Sequence, residues 1–280
     1  MHADHASLTG LHHLQCASPC QDYAQSGLLR EGAGAWGVLA DGCSTGGHTD
    51  LGARAWVCGV RDWLRTDPPG QSWANASLMQ AWQEHAQPYL ATLSGADALA
   101  TVGALHANAQ RACVALWGDG VVVLKHLDGR VTAIEQRFTL NAPPYPQYWR
   151  DRATLLQYAQ AYASQEVWRL TSEFSAEGDL LAETKEVSPL DLAHPVWVQS
   201  WQWQEQELAV VMLASDGALS RQDVPQTLNA LADFKGLQGE FLKRRVARLY
   251  RQWSKDNTLV QDDLSVVAVT GPAPLSQERS

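Results

Sequence analysis

The chain has no apolar stretch of about 18 residues or more, so no segment reads as a membrane-spanning helix and no membrane partner is expected. Residues Met1 to Thr9 hold two histidines and an aspartate and lack the apolar core of a secretory signal. A cytoplasmic location is therefore expected. Basic charge is scarce: 21 Lys and Arg stand against 30 Asp and Glu, a net charge of −9. Phosphate backbones require clustered cations, so no nucleic-acid partner is expected. The densest basic run, Lys243-Arg244-Arg245 with Arg248 and Arg251, interleaves with Phe241, Leu242, Val246, Leu249 and Tyr250. It reads as the solvated face of an amphipathic helix. Five cysteines in 280 residues are an odd number in a long chain and read as reduced thiols, not a disulfide frame. His12, His13, Cys16 and Cys20 fit no zinc-module spacing, and no second ligand pair follows. No Ser-His-Asp or catalytic-cysteine pattern stands out, and there is no internal repeat.

What is present is core material and a set of aspartates. Hydrophobic residues make up 45% of the chain and include 12 tryptophans. Trp56, Trp63, Trp73 and Trp82 fall in helix-like stretches and read as packing residues. The apolar run 33–40 predicts a strand, and helices are expected over 50–66, with Asp50 as its N-cap and an end before Pro68-Pro69, and over 74–93. The period then changes, predicting strands over 99–107, 111–117 and 121–126, with Leu127-Asp128-Gly129-Arg130 as a hairpin turn. Residues 138–206 read as an insertion or mobile flap with one helix, about 148–169, and no clean strand. A buried strand at 208–214, helices at 225–234 and 239–254, a closing strand at 264–269 and a polar tail 271–280 complete the chain. Strands and helices come in blocks, so the fold class is α+β, mostly antiparallel, in one domain over 1–280.

Four short motifs punctuate these elements: Cys20-Gln21-Asp22, Ala40-Asp41-Gly42, Ala214-Ser215-Asp216-Gly217 and Gln261-Asp262-Asp263-Leu264-Ser265. Two end strand-like runs and one precedes a strand. Strand ends converge, so these carboxylates can meet at one sheet rim. Clustered carboxylates do not stay ionised together without cations, and hard divalent ions with oxygen ligands suit them. Asp-Gly occurs at 41, 119, 128 and 216. At 128 it reads as a turn. At 41 and 216 it follows a buried run with no matching strand, and glycine there permits close approach of a ligand. Asp119 stands open between a hairpin turn and a further carboxylate of the cluster.

The order of the motifs resembles the metal-dependent protein phosphatases, the PPM or type 2C family, in its bacterial branch. Cys20-Gln21-Asp22 is similar to the family's Asn-Gln/Glu-Asp motif. Asp41-Gly42 with Gly46-Gly47 and Gly52-Ala53 resembles its glycine-rich loop entering a helix. Gly118-Asp119-Gly120 resembles Gly-Asp-Ser, and Ser215-Asp216-Gly217 matches Ser-Asp-Gly. Asp262-Asp263-Leu264-Ser265-Val266-Val267 resembles the closing Asp-Asn/Asp-x-Thr/Ser and its strand.

The resemblance implies a four-layer α-β-β-α sandwich with two Mn²⁺ or Mg²⁺ ions at one end and room for a third. Asp41 would bridge the two ions, with the Gly42 carbonyl on one and Asp216 and Asp262 on the other. Asp22 would act partly through water, and Asp119 would serve the third ion. The activity implied is hydrolysis of phosphoserine and phosphothreonine in proteins by activated water, opposing a Ser/Thr kinase in signalling. The alternative is a catalytically inactive, phosphoprotein-binding or regulatory module. No Lys or Arg precedes Asp22, where many members carry a phosphate-holding Arg. His12 or His13 is a candidate for that role or for a general acid, against the plainer reading of surface histidines. Asp22, Asp41 and His13 are thus the catalytic candidates.

Overall fold

The computed structural model describes residues 1–66, 73, 75–221 and 223–272. The Pro68-Pro69 helix stop and the tail beyond Pro272 lie outside the described residues.

In chain order the strands are β1 (Ala3–Leu8), β2 (Asp22–Leu28), β3 (Ala35–Gly42), β4 (Ala100–Ala107), β5 (Arg111–Trp117), β6 (Gly120–His126), β7 (Val131–Phe138), β8 (Glu166–Phe174), β9 (Leu180–Pro189), β10 (Val196–Gln202), β11 (Leu208–Ala214) and β12 (Leu264–Thr270). The helices are α1 (Leu11–Cys16), α2 (Thr49–Thr66), α3 (Asn75–Leu90), α4 (Arg152–Ala161), α5 (Val224–Ala232) and α6 (Phe241–Lys255). One sheet runs β1-β12-β11-β6-β7-β8-β9 and the other β10-β5-β4-β3-β2. Every pairing is antiparallel.

The central strands β3, β4, β5, β6, β11 and β12 are apolar on both faces because both faces are covered. Leu39, Leu105, Leu116, Val122, Val211, Leu213 and Val267 fill the space between the sheets. Trp56, Val60, Trp63, Leu78 and Trp82 of α2 and α3 pack on Val38, Ala40, Val102 and Ala104 outside one sheet. Leu228 and Leu231 of α5, with Leu242, Val246 and Leu249 of α6, pack on Val121, Val123, Val210 and Met212 outside the other. Each fully buried Leu or Val in these layers contributes about 1.5–3 kcal/mol. The result is the expected α-β-β-α sandwich, with all four layers drawn from distant parts of the chain.

Four local features depart from the sequence reading. The polar N-terminus is a strand: β1 pairs with β12, and buried Asp4 turns inward so that its Oδ2 accepts from the amides of Leu242 and Lys243 at the start of α6 (2.7 and 2.9 Å). Residues 138–206 contain strands β8, β9 and β10 where none was expected. β8 and β9 extend one sheet, and β10 forms the edge of the other. The single helix expected over 148–169 is a 3-10 turn, Pro146–Arg150, then α4. Asp151 caps α4 by accepting from the amides of Ala153 and Thr154. Helix α2 starts at Thr49, one residue ahead of the expected cap.

Candidate active site

Both sheets end at one rim, and the aspartates gather there. Asp22 opens β2, Asp41 lies near the end of β3, and the antiparallel register sets them directly opposite each other. Asp216 begins the 3-10 turn Asp216–Leu219 that follows β11. Asp262 and Asp263 immediately precede β12, the neighbour of β11.

Asp119 links β5 to β6, and these strands belong to different sheets. Gly118-Asp119-Gly120 is therefore no hairpin turn but the crossing between sheets. Its backbone needs glycine: φ is +116° at Gly118 and +146° at Gly120, and a Cβ at 118 would lie 2.5 Å from Thr101 Cγ2. Buried Gln136 on β7 braces the crossing. Its Nε2 donates to the Gly118 carbonyl (2.6 Å) and its Oε1 accepts from Arg169 Nε (2.9 Å). Asp128-Gly129, by contrast, is the β6–β7 hairpin turn that the sequence predicted.

At the centre, Asp41 faces Asp22 across the β2–β3 pair and feels the charge of both Asp22 and Asp216. Burial, and then the neighbouring carboxylates, hold these groups toward their protonated forms. Burial pushes Asp22 up to about 8, opposed by a hydrogen bond from Ser215 and reinforced by the charge of Asp263. Burial and then Asp216 push Asp119 up to about 7. Asp41 and Asp216 are raised by burial first, then chiefly by Asp22 and by Asp262 respectively. Arg137 on β7 is a cation whose field opposes the rise at both Asp119 and Asp216.

The surrounding shell is ordered. Buried Ser215 donates to Asp22 Oδ2 (2.7 Å) and accepts from the Ser265 amide (2.9 Å). The other oxygen, Asp22 Oδ1, is buried and meets no donor. Asp263 is buried and saturated. Its Oδ1 accepts from the Gly10 amide (2.7 Å), and its Oδ2 accepts from the Gln21 amide (2.5 Å) and bonds His13 Nδ1 (2.7 Å). Asp262 is exposed, and its Oδ1 accepts from the Asp263 amide (2.8 Å). Gly42 lies beside Asp41, its amide donating to the Gln21 carbonyl. His12 is exposed, whereas His13 is buried and reaches the rim only through Asp263. Ser44, Thr45 and His48 of the glycine-rich loop are exposed. A cavity of about 730 Å³ opens on the far side of Asp22 and Cys20, between β1, β2 and α6.

The chemistry of this rim fits a divalent cation. Its donors are oxygens, its carboxyls resist ionisation, and one buried carboxylate oxygen lacks a partner. Among the described residues, no group of three or more His, Cys, Asp or Glu side chains is gathered as closely as metal ligands would be.

Compared with protein-family models, the chain matches protein phosphatase 2C over residues 9–265. It belongs to that family. Family membership makes it a phosphoprotein phosphatase, and the match takes in Asp22, Asp41, Asp119, Asp216 and Asp262. Compared by sequence with individually curated proteins, the phosphatase has no match. Its fold is that of the serine/threonine phosphatase Stp1 from Staphylococcus aureus, with 10% identity and a TM-score of 0.59 over 98% of this chain and 96% of that one. The Mycobacterium tuberculosis serine/threonine phosphatase PstP/Ppp gives 17% identity and a TM-score of 0.55 over 97% and 99%. The catalytic domain of PstP in complex with two manganese ions gives 18% and 0.51 over 97% and 98%.

Sequence reasoning passed over several residues at the site. Asp263 was read only as a neighbour of Asp262, although it carries more hydrogen bonds. Ser215 was visible as a motif letter without a task. Gln136 and Arg137 lie in a stretch with no motif, and only the sheet topology brings them to the rim.

Proposed function

We propose that this phosphatase hydrolyses phosphoserine and phosphothreonine monoesters in proteins, with water as nucleophile and two Mn²⁺ or Mg²⁺ ions at the carboxylate rim. The observation that carries this reading is the convergence of Asp22, Asp41 and Asp216 at one strand end, with Asp22 Oδ1 buried and unpartnered. In this reading Asp41, Asp216, Asp262 and the Gly42 carbonyl hold the two ions, Asp22 acts beside them through water, and Asp119 is the candidate for a third. Bound divalent ions lower the pKa of water and neutralise phosphoryl charge.

The chain's own residues do the rest. Ser215 fixes the Asp22 carboxylate by one hydrogen bond and leaves its second oxygen free. Asp263, tied to the Gly10 and Gln21 amides, sets the path of the backbone at Asp262. His13 belongs here as a positioning residue, since it touches the rim only through Asp263. Gln136 holds the crossing that presents Asp119. In a single domain, the glycine-rich loop and the segment 138–206 would form the walls toward a phosphoprotein. A Ser/Thr kinase would supply the substrate, and a cytoplasmic signalling role would follow.

The test is hydrolysis of p-nitrophenyl phosphate and of a phosphothreonine peptide by wild type and Asp41→Asn, with Mn²⁺ and with EDTA. Turnover that needs Mn²⁺ and is lost in the variant is expected. Absence of turnover in wild type with Mn²⁺ bound by calorimetry would instead favour a phosphoprotein-binding module.

A further inference from the structure

Strand β9 is the last strand of the seven-stranded sheet, and all ten of its residues are exposed. Among the described residues no strand lies on its outer side. Leu180, Leu181 and Val187 are each more than half exposed. A long apolar edge of this kind offers its free amides and carbonyls to another strand.

The hairpin with β8 fixes which groups point outward. Just past β9 the Leu190 amide donates to the Gln165 carbonyl (3.1 Å), and Pro189 then stands opposite Glu166. Bonded and unbonded pairs alternate along an antiparallel ladder. Ala182, Thr184, Glu186 and Ser188 therefore bond to β8, while Glu183, Lys185 and Val187 turn their backbone groups outward. Pro189, which has no amide hydrogen, falls in the outward set, where the ladder loses nothing. The register is regular from Pro189 back to Ala182 and shifts beside Leu181.

The outward set carries an acid and a base two positions apart, and both side chains are held. Ser172 Oγ donates to Glu183 Oε2 (3.3 Å), and Lys185 Nζ lies 4.5 Å from the Trp168 ring centroid. Across this edge, outward residues pair only with outward residues. If two copies meet about a two-fold axis centred on Glu183, Lys185 or Glu186, like charges lie directly opposite, which destabilises a sheet. Centring the axis on Thr184 sets Glu183 against Lys185 twice and Thr184 against Thr184, both stabilising kinds of pair. It also brings Leu181 to Val187 at each end.

We propose that β9 pairs with β9 of a second copy of this chain, antiparallel about a two-fold axis at Thr184, so that the two sheets become one. Each Glu183–Lys185 pair exchanges two backbone hydrogen bonds. A two-fold contact is closed, so assembly stops at the dimer. The proposal rests on no part of the phosphatase reading.

The experiment is sedimentation velocity on the full chain over a concentration series, with far-ultraviolet circular dichroism to check the fold. Wild type should form a dimer that grows with concentration. Glu183→Lys and Lys185→Glu should each weaken it about tenfold or more, because both pairs become repulsive. The double variant should recover the dimer, and the two single variants, mixed, should dimerise with each other. Lys185→Pro removes only an outward amide, so it should abolish the dimer and keep the wild-type dichroism. A wild type that stays monomeric throughout, or a dimer undiminished in both single variants, would overturn the proposal. Single variants that lose the dimer yet fail to pair with each other would also overturn it, since the register would be wrong.

Discussion

Asp22 and Asp41 face each other across the β2–β3 pair, and one oxygen of that pair, Asp22 Oδ1, is buried without a donor. Like charges at directly opposed strand positions destabilise a sheet, and here burial sharpens the conflict. The rim is therefore a place where stability has been given up for a site that can receive a cation.

A pH signature follows. The carboxyls of Asp22 and Asp119 titrate at about 8 and about 7 in the folded chain, against about 4 when unfolded. The folded state thus keeps protons that the unfolded state has released. Their contribution to stability is complete below about pH 4 and disappears as pH rises through 7 and then 8. In EDTA, the melting temperature should fall between pH 6 and pH 9, and Mn²⁺ should flatten that slope. Calorimetric melts across this range, with and without metal, provide the check, and a metal-free slope of opposite sign would contradict the assignment.

Asp41→Asn should separate stability from activity. Asp41 is crowded by Asp22, Asp216 and Asp119, and an amide there removes one charge and adds a donor. The metal-free variant should melt higher than wild type at pH 8, by about 2–4 °C for each kcal/mol of repulsion relieved. Its Mn²⁺-dependent turnover should drop about a hundredfold or more, the scale on which loss of an electrostatic contact to the reacting group is felt. Thermal melts and kinetics on the same preparation decide it. A variant less stable than wild type at every pH would argue that Asp41 is hydrogen-bonded for structural reasons alone.

Ser215→Ala should be costly although it removes one oxygen. Ser215 Oγ is the donor to Asp22 Oδ2 and the acceptor for the Ser265 amide. Both partners are buried, so both are left unsatisfied. Urea unfolding should show a loss of about 1–3 kcal/mol, with weaker Mn²⁺ binding measured separately by calorimetry. A cost within error of zero would mean that water replaces the hydroxyl.

How much of this was legible in the sequence depends on whether the signal was local. Asp41 and Asp216 announced themselves because each ends an apolar run without a following hairpin, and Asp128 was separable because strand-like residues flank it on both sides. Asp119 was ambiguous for a physical reason: two short strands around a Gly-Asp-Gly look like a hairpin, and only the sheet assignment reveals that β5 and β6 do not pair. β9 was invisible because all ten of its residues are exposed, so burial imposes no alternation. β1 was hidden by Asp4, whose carboxylate is buried because it caps α6 from a residue far away in sequence.

His13 and Asp263 supply a final discrimination, because the pair has unequal members. Asp263 accepts from the Gly10 amide, the Gln21 amide and His13, all at 2.7 Å or less. Truncating it strands donors just before β2, on the turn before α1 and on α1 itself. His13→Ala removes only one of those donors and leaves the carboxylate with two amides. Asp263→Ala should therefore cost roughly 3–5 kcal/mol, as when one partner of a buried charged pair is deleted, and His13→Ala about 1–3 kcal/mol. Gly10 adds a third probe, because a Cβ there would lie 2.3 Å from the Asp262 carbonyl carbon, so Gly10→Ala should resemble Asp263→Ala in kind. If His13 only positions Asp263, kcat in His13→Ala should fall modestly and retain the wild-type pH profile. If instead kcat collapses and the acidic or basic limb of the profile disappears while the urea midpoint stays fixed, His13 is a proton donor in the reaction and its positioning role is wrong.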